Sequence, residues 1–146
     1  MSFYLRPANL DDAEIILEWR NDMQTRENSF SKDLIDLDTH LKWFERKLSD
    51  DNCFLYILMD DSERVGQVRI DRIGDVGEVS YMIAPDRRGR GYGKQIIKLI
   101  GEEAGSKVKV LVGLVESFNE ASRKCFVADG YSEFVGGEMV CYIKIL

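Results

Sequence analysis

Pro85-Asp86-Arg87-Arg88-Gly89-Arg90-Gly91-Tyr92-Gly93-Lys94 leaves one predicted strand and opens a predicted helix. Glycines at 89, 91 and 93 remove β-carbons where a ligand would approach the backbone. A helix start offers unpaired N–H groups and the positive end of the helix dipole, which suits a pyrophosphate. Arg87, Arg88, Arg90 and Lys94 add positive side chains to an otherwise acidic chain. Other motif readings fail on spacing. A Walker A loop needs Ser or Thr after its lysine, and Lys94 is followed by Gln95. The dinucleotide fingerprint is GxGxxG after a first strand, whereas GxGxG here follows the fourth. An RGG-type nucleic-acid tag belongs in a disordered tail, not between a strand and an amphipathic helix.

Working outward, Ile96, Ile97, Ile100 and Ala104 give the helix after the loop a buried face. Residues 108–115 read as a strand without polar alternation, as expected when both faces are covered. Asn119 caps a further helix that ends at Gly130, and strands follow at 131–135 and 139–145. Upstream, residues 53–59, 65–71 and 78–84 are joined by short turns and predict an antiparallel meander. Before them come a strand at 3–5, a helix capped by Asn9, a polar stretch at 21–32 and a helix capped by Asp38. A right-handed crossover places 108–115 parallel to 78–84. The expectation is α+β: a mixed seven-stranded sheet between helices, three layers, one domain over residues 1–146.

Composition bounds the function. The 146 residues suffice for one core, with about 68–70% of the unfolded surface buried. Twenty basic and 26 acidic side chains give −6, which argues against a nucleic-acid or anionic-membrane coat. Cys53, Cys125 and Cys141 form no CxxC, and His40 is the single histidine, so no zinc cluster and no metal are expected. Reduced thiols and the absence of a signal peptide or apolar span point to the cytoplasm.

Arg88 to Gly93 resembles the [Q/R]xxGx[G/A] loop of the GNAT superfamily of acetyl-CoA-dependent N-acetyltransferases. The strand ending at Pro85 and the later Asn119-Glu120-Ala121-Ser122 to Gly130-Tyr131 segment fit the same family. The resemblance implies that backbone amides of Arg88, Gly89, Arg90, Gly91, Tyr92 and Gly93 hold the coenzyme pyrophosphate. It implies that strands 78–84 and 108–115 splay around the pantetheine arm, with Asn119, Ser122 and Phe126 lining it. A backbone N–H near Met82 or Ile83 would polarise the thioester carbonyl.

The N-terminal half is similar to 4-amino-sugar N-acetyltransferases of the pseudaminic- and legionaminic-acid pathways. That similarity lies in Trp19-Arg20-Asn21-Asp22, Arg26, Ser29-Phe30, His40-xx-Trp43-Phe44 and Gly66 to Asp71. The implied acceptor is a small-molecule amine on a nucleotide sugar, held by Arg20, Arg26, Phe30, His40, Trp43, Arg69 and Tyr81. Guanidinium forks suit its phosphates. Protein N-terminal or lysine amines, or acetyl-CoA binding without turnover, are the alternatives. Glu78 is the expected base, direct or through water. Strand alternation puts Ser80 and Met82 on its face, and Ser80 and His40 complete the catalytic candidates. One departure stands out: Phe126 occupies the place of the tyrosine that many GNAT enzymes use to protonate the thiolate, leaving water, another hydroxyl such as Ser122 or Tyr81, or no donor at all for that task. Cys125 beside it is expected to be inert. An edge strand at 139–145 would let two copies pair as a homodimer.

Overall fold

The computed structural model describes residues 2–146. Strands β1 (Phe3–Pro7), β2 (Cys53–Asp60), β3 (Glu63–Ile73), β4 (Val76–Ile83), β5 (Val110–Glu116), β6 (Ser132–Gly136) and β7 (Met139–Ile145) form one sheet in the order β1-β2-β3-β4-β5-β7-β6. Helices α1 (Ala13–Asn21), α2 (Met23–Glu27) and α3 (Leu37–Ser49) precede the meander. The two remaining helices, α4 (Tyr92–Ala104) and α5 (Glu120–Ala128), follow β4 and β5. The architecture is the expected α+β sandwich of a mixed seven-stranded sheet.

Period two along the strands divides the core in two. Leu55, Ile57 and Met59 of β2 pack with Ile16 and Trp19 of α1 and Phe44 of α3. Tyr56 and Leu58, pointing the other way, join Val68, Ile70, Val79 and the α4 side chains Ile96, Ile97 and Ile100. Those three isoleucines are fully buried, each contributing about 1.5–3 kcal/mol. Opposed residues share a face, and Gln67 pairs with Met82, Arg69 with Ser80 and Asp71 with Glu78. These six therefore lie on the α1/α3 side, whereas Tyr81 and Ile83 lie on the α4/α5 side.

β4 and β5 pair in parallel, as the crossover rule requires, but only from Val76/Val110 to Val79/Gly113. Beyond that point they separate. At that last pair Phe126 of α5 lies directly over Gly113 on the α4/α5 face: a β-carbon on Gly113 would lie 2.5 Å from its ring. That ring stacks on Tyr142 at 5.1 Å and meets Tyr131 edge-on at 5.0 Å, so it has little room to move. Gly113→Ala is accordingly expected to lose about 1–3 kcal/mol of stability through overpacking, read as a lower urea midpoint. An unchanged midpoint would mean that the Phe126 ring swings aside freely.

Several expectations need correction. α3 is capped by Asp36, whose extended backbone lets its carboxylate accept from Thr39 N at 2.8 Å; Asp38 lies inside the first turn. β3 runs on to Ile73, because Gly74 at φ +59° closes the hairpin more tightly than the sequence suggests. β5 starts at Val110, since Val108 N–H still bonds Ala104 O at 3.0 Å. Its Leu114 is exposed rather than covered, because it borders the opening between β4 and β5. The segment Met139–Ile145 is no edge: it is inserted between β5 and β6, so its backbone is paired on both sides.

Candidate active site

Two cavities meet where β4 and β5 part. The first, about 450 Å³, lies over the start of α4 and is lined by Gly89, Gly91, Tyr92 and Gly93, with Met82 and Ile83 from β4. The second, about 330 Å³, lies on the α1/α3 face and is lined by Arg20, Trp43, Gln67, Arg69, Glu78 and Ser80. Thr25, Tyr81, Met82, Asn119 and Ser122 border both. The splay is thus a passage through the sheet.

The α4 end of this passage is built to receive an anion. α2, α3 and α5 are capped by the side chains of Asp22, Asp36 and Asn119. α4 begins instead at Gly91, which supplies no side-chain cap, and its first turn holds no acid. Among the described residues, no side chain caps its leading N–H groups and no acid of its first turn offsets the dipole. Gly89 and Gly91 have φ of +76° and +83°, and a β-carbon on either would meet nothing within 4 Å. The glycines supply left-handed backbone and leave open space above it. These are groups that could hold an anion such as a pyrophosphate.

Side-chain charge in the loop is smaller than its sequence implies. Arg88 is engaged by Asp22 at 2.7 Å and Thr25 Oγ1 at 2.7 Å, tying the loop to α2 and holding the Asp22 carboxyl below its ordinary range. Arg87 is engaged by Glu63. Tyr92 turns its ring into the core and donates to Asp60 at 2.6 Å, leaving its backbone to the cavity. Arg90 and Lys94 are exposed and have no ion-pair partner among the described residues; of the two, only Lys94 borders the cavity.

At the junction, Tyr81 Oη donates to Ser122 Oγ at 2.8 Å, beside Cys125. Burial raises the Tyr81 phenol well above its usual value, so it keeps its proton at neutral pH. Burial also raises the Cys125 thiol, which suits an inert side chain rather than a nucleophile. Asn119 accepts from Ser122 N at 3.3 Å, serving as helix cap and cavity wall together. Strand N–H groups alternate in direction, and Ala84 N–H bonds Val65 O on β3. The N–H groups of Tyr81 and Ile83 therefore point to the open β5 side, while that of Met82 points to β3.

In the second cavity Trp43 is flanked by two guanidiniums, Arg20 at 4.3 Å and Arg69 at 5.2 Å from its ring. Arg69 pairs with Asp71 at 2.7 Å, and Asp71 also takes Lys47 at 2.7 Å. Arg20 has no carboxylate partner among the described residues; its Nη1 donates to His40 Nδ1 at 3.0 Å. Phe30 and Glu78 lie at the exposed rim.

Three sequence-predicted site residues are displaced from their expected roles. His40 lines neither cavity: it is fully buried between Ala13, Arg20 and the Trp43 and Phe44 rings. A guanidinium only donates and a carbonyl only accepts, so His40 accepts at Nδ1 and donates from Nε2 to Ala13 O at 2.7 Å. Burial, then Arg20, lowers its pKa, so it stays neutral and positions Arg20. Arg26 faces neither cavity, because its guanidinium holds the carbonyls of Asn21 and Lys32. Phe126 borders the second cavity instead of the first. Gln67 was missed: it is buried against the second cavity, and its Nε2 has no hydrogen-bond partner. Its alternation with Val68 was the one sequence signal, a polar residue in a strand whose other face is apolar.

Among the described residues no group of three His, Cys, Asp or Glu side chains could hold a metal ion. No helix there is long and apolar enough to cross a membrane. The family model described as "Acetyltransferase (GNAT) domain" matches residues 2–131. An uncharacterized N-acetyltransferase, YfmK, of Bacillus subtilis (strain 168) is 27% identical over 122 residues, covering 83% of this chain and 79% of its own. Spermidine N-acetyltransferase from Vibrio cholerae, solved with CoA and spermine, superposes with a TM-score of 0.88 at 16% identity, covering 98% and 95% of the two chains. An aminoglycoside acetyltransferase solved with coenzyme A superposes with a TM-score of 0.84 at 15% identity, covering 99% and 95%. At such identities the likeness is one of fold.

Proposed function

From the premise that the chain belongs to the GNAT family of acetyltransferases, and so is an acyltransferase, we propose that its 146 residues form one N-acetyltransferase domain using acetyl-CoA. The acceptor is a primary amine, the 4-amino group of a nucleotide-linked amino sugar, acetylated in the cytoplasm by direct attack in a ternary complex. The observation that carries this reading is the meeting of an anion-ready cavity with a polar cavity at the β4–β5 splay. Substrates placed in both would be held together, which removes much of the entropic barrier to a bimolecular step.

Bound acetyl-CoA supplies the activated acetyl thioester. The chain supplies everything else. Backbone amides of Arg88, Gly89, Gly91, Tyr92 and Gly93 would hold the pyrophosphate, with Asn119 and Ser122 flanking the pantetheine arm. The Ile83 N–H, free on the splay side, polarises the carbonyl. Tyr81 Oη, kept protonated by burial, gives the departing sulfur its proton in place of the tyrosine that Phe126 replaces. Glu78 takes the proton of the attacking amine through water, with Ser80 on the same face of β4 to orient that water.

Coenzyme release is the direct test. Thiol release with amino nucleotide sugars and not with basic peptides is the expected result. Release with peptides alone would move the acceptor to protein amines, and coenzyme binding without release for any amine would end the transferase reading. Within it, Glu78→Gln is expected to lower kcat by about 10²-fold while acetyl-CoA affinity stays within about twofold. Equal kcat in the two proteins would remove Glu78 from the chemistry.

A further inference from the structure

We infer that the acceptor amine carries an oxyanion, carboxylate or phosphate, seated on Arg20, Gln67 and Arg69 against Trp43; the inference rests on reading the second cavity as the acceptor site. Three features converge there. Gln67 is 4% exposed, and its buried Nε2 donor has no partner. A buried donor left unmade is costly, and a rotation of the Gln67 amide would turn that nitrogen from the closed side toward a ligand oxygen in the cavity. Among the described residues Arg20 has no carboxylate partner, and its one side-chain hydrogen bond, to His40, leaves the rest of its fork free. Arg69 and Lys47 share the single carboxylate of Asp71. The two cations that line the cavity, Arg20 and Arg69, flank Trp43 on its inner wall, and the two carboxylates that line it, Asp33 and Glu78, are both exposed.

Position fixes the acceptor's shape. Gln67 and Arg69 sit opposite Met82 and Ser80, one strand spacing (about 4.8 Å) from the β4 residues at the splay. The oxyanion and the reacting nitrogen thus lie on either side of one sugar ring or a short amino acid. Glu78 and Asp33 at the rim face the ammonium end, completing a dipolar site. A nucleotide sugar meets these demands through the phosphate next to its ring. A polyamine such as the spermine of the Vibrio cholerae complex would set a second ammonium on Arg20 and Arg69.

Matched acceptors test this in the intact protein with saturating acetyl-CoA: glucosamine 6-phosphate against glucosamine, and 4-aminobutyrate against its amide. The acid-bearing member of at least one pair is expected to show kcat/KM at least about tenfold higher, and the favoured pair names phosphate or carboxylate. R20Q is expected to reduce that ratio at least about tenfold, and R20K to restore part of it. Equal or inverted preference in both pairs, or a ratio unmoved by R20Q, overturns the inference. If no amine is acetylated at all, inorganic phosphate and acetate titrated against the Trp43 indole N–H resonance decide the matter. A shift in the wild type that R20Q weakens about tenfold keeps the oxyanion subsite while the transferase reading fails. No shift from either anion up to about 50 mM overturns it.

Discussion

Gly91→Val is expected to weaken acetyl-CoA binding by at least about 100-fold, or ~2.7 kcal/mol, while the domain remains folded. The size of the effect follows from what Gly91 does. It stands at φ +83°, ψ 7°, as the cap of α4, and a β-carbon there would touch no protein atom within 4 Å. Valine would therefore cost the fold only the strain of a β-branched residue in the left-handed region, about 1–3 kcal/mol of the 5–15 typical for a domain. Its methyl groups would project into the space where the pyrophosphate approaches the first N–H groups of the helix. Gly74→Val separates the two contributions. Gly74 has φ +59°, its β-carbon would also meet nothing, and it lies in the β3–β4 hairpin away from both cavities. Both variants should show similar losses in urea midpoint, and only the first should lose coenzyme in calorimetry. Equal uptake by the two would mean that the loop is a turn without a ligand.

The contrast between Gly91 and Arg88 shows where sequence reading reaches and where it stops. Glycine conformations, the α4 stripe of Ile96, Ile97 and Ile100, and the parallel β4–β5 crossover depend on local periodicity and handedness, so the chain displays them openly. The loop arginines looked like phosphate ligands because their partners are remote: Arg87 meets Glu63, and Arg88 meets Asp22 sixty-six residues away. His40 looked like a surface or acceptor residue because nothing near it announces Ala13 O and Arg20 as its two partners. Arg26 likewise hides its role, closing the turn between α2 and α3 on backbone carbonyls. β7 looked like an edge because its insertion between β5 and β6 is a long-range pairing that alternation cannot specify. Polar side chains were thus recognised by type and misplaced by partner.

Tyr81→Phe is expected to lower kcat by about 10²–10⁴-fold with little change in either KM, because one proton donor is removed and no binding surface is lost. Phenylalanine keeps the ring against Phe126, whose centroid is 6.1 Å away, and forfeits one hydrogen bond to Ser122 worth about 1 kcal/mol of stability. The pH profile adds a second handle. Burial raises the Tyr81 phenol, so its protonated form persists above the ordinary phenol range, and an acid with a raised pKa loses activity only when pH climbs past that raised value. Activity that depends on Tyr81 should therefore hold through pH 9 and beyond, limited on the acid side by protonation of the amine. Ser122→Ala leaves the phenol in place without its acceptor and should cost much less than Tyr81→Phe. The reverse ranking would make Ser122 the donor, and equal kcat in all three proteins would assign the proton to water. The test matters because Phe126, packed against Gly113 and stacked on Tyr142, cannot supply a proton at the position many relatives use. Placing the acid on β4 would leave Phe126 of α5 to its packing role over Gly113 while Tyr81 completes the chemistry.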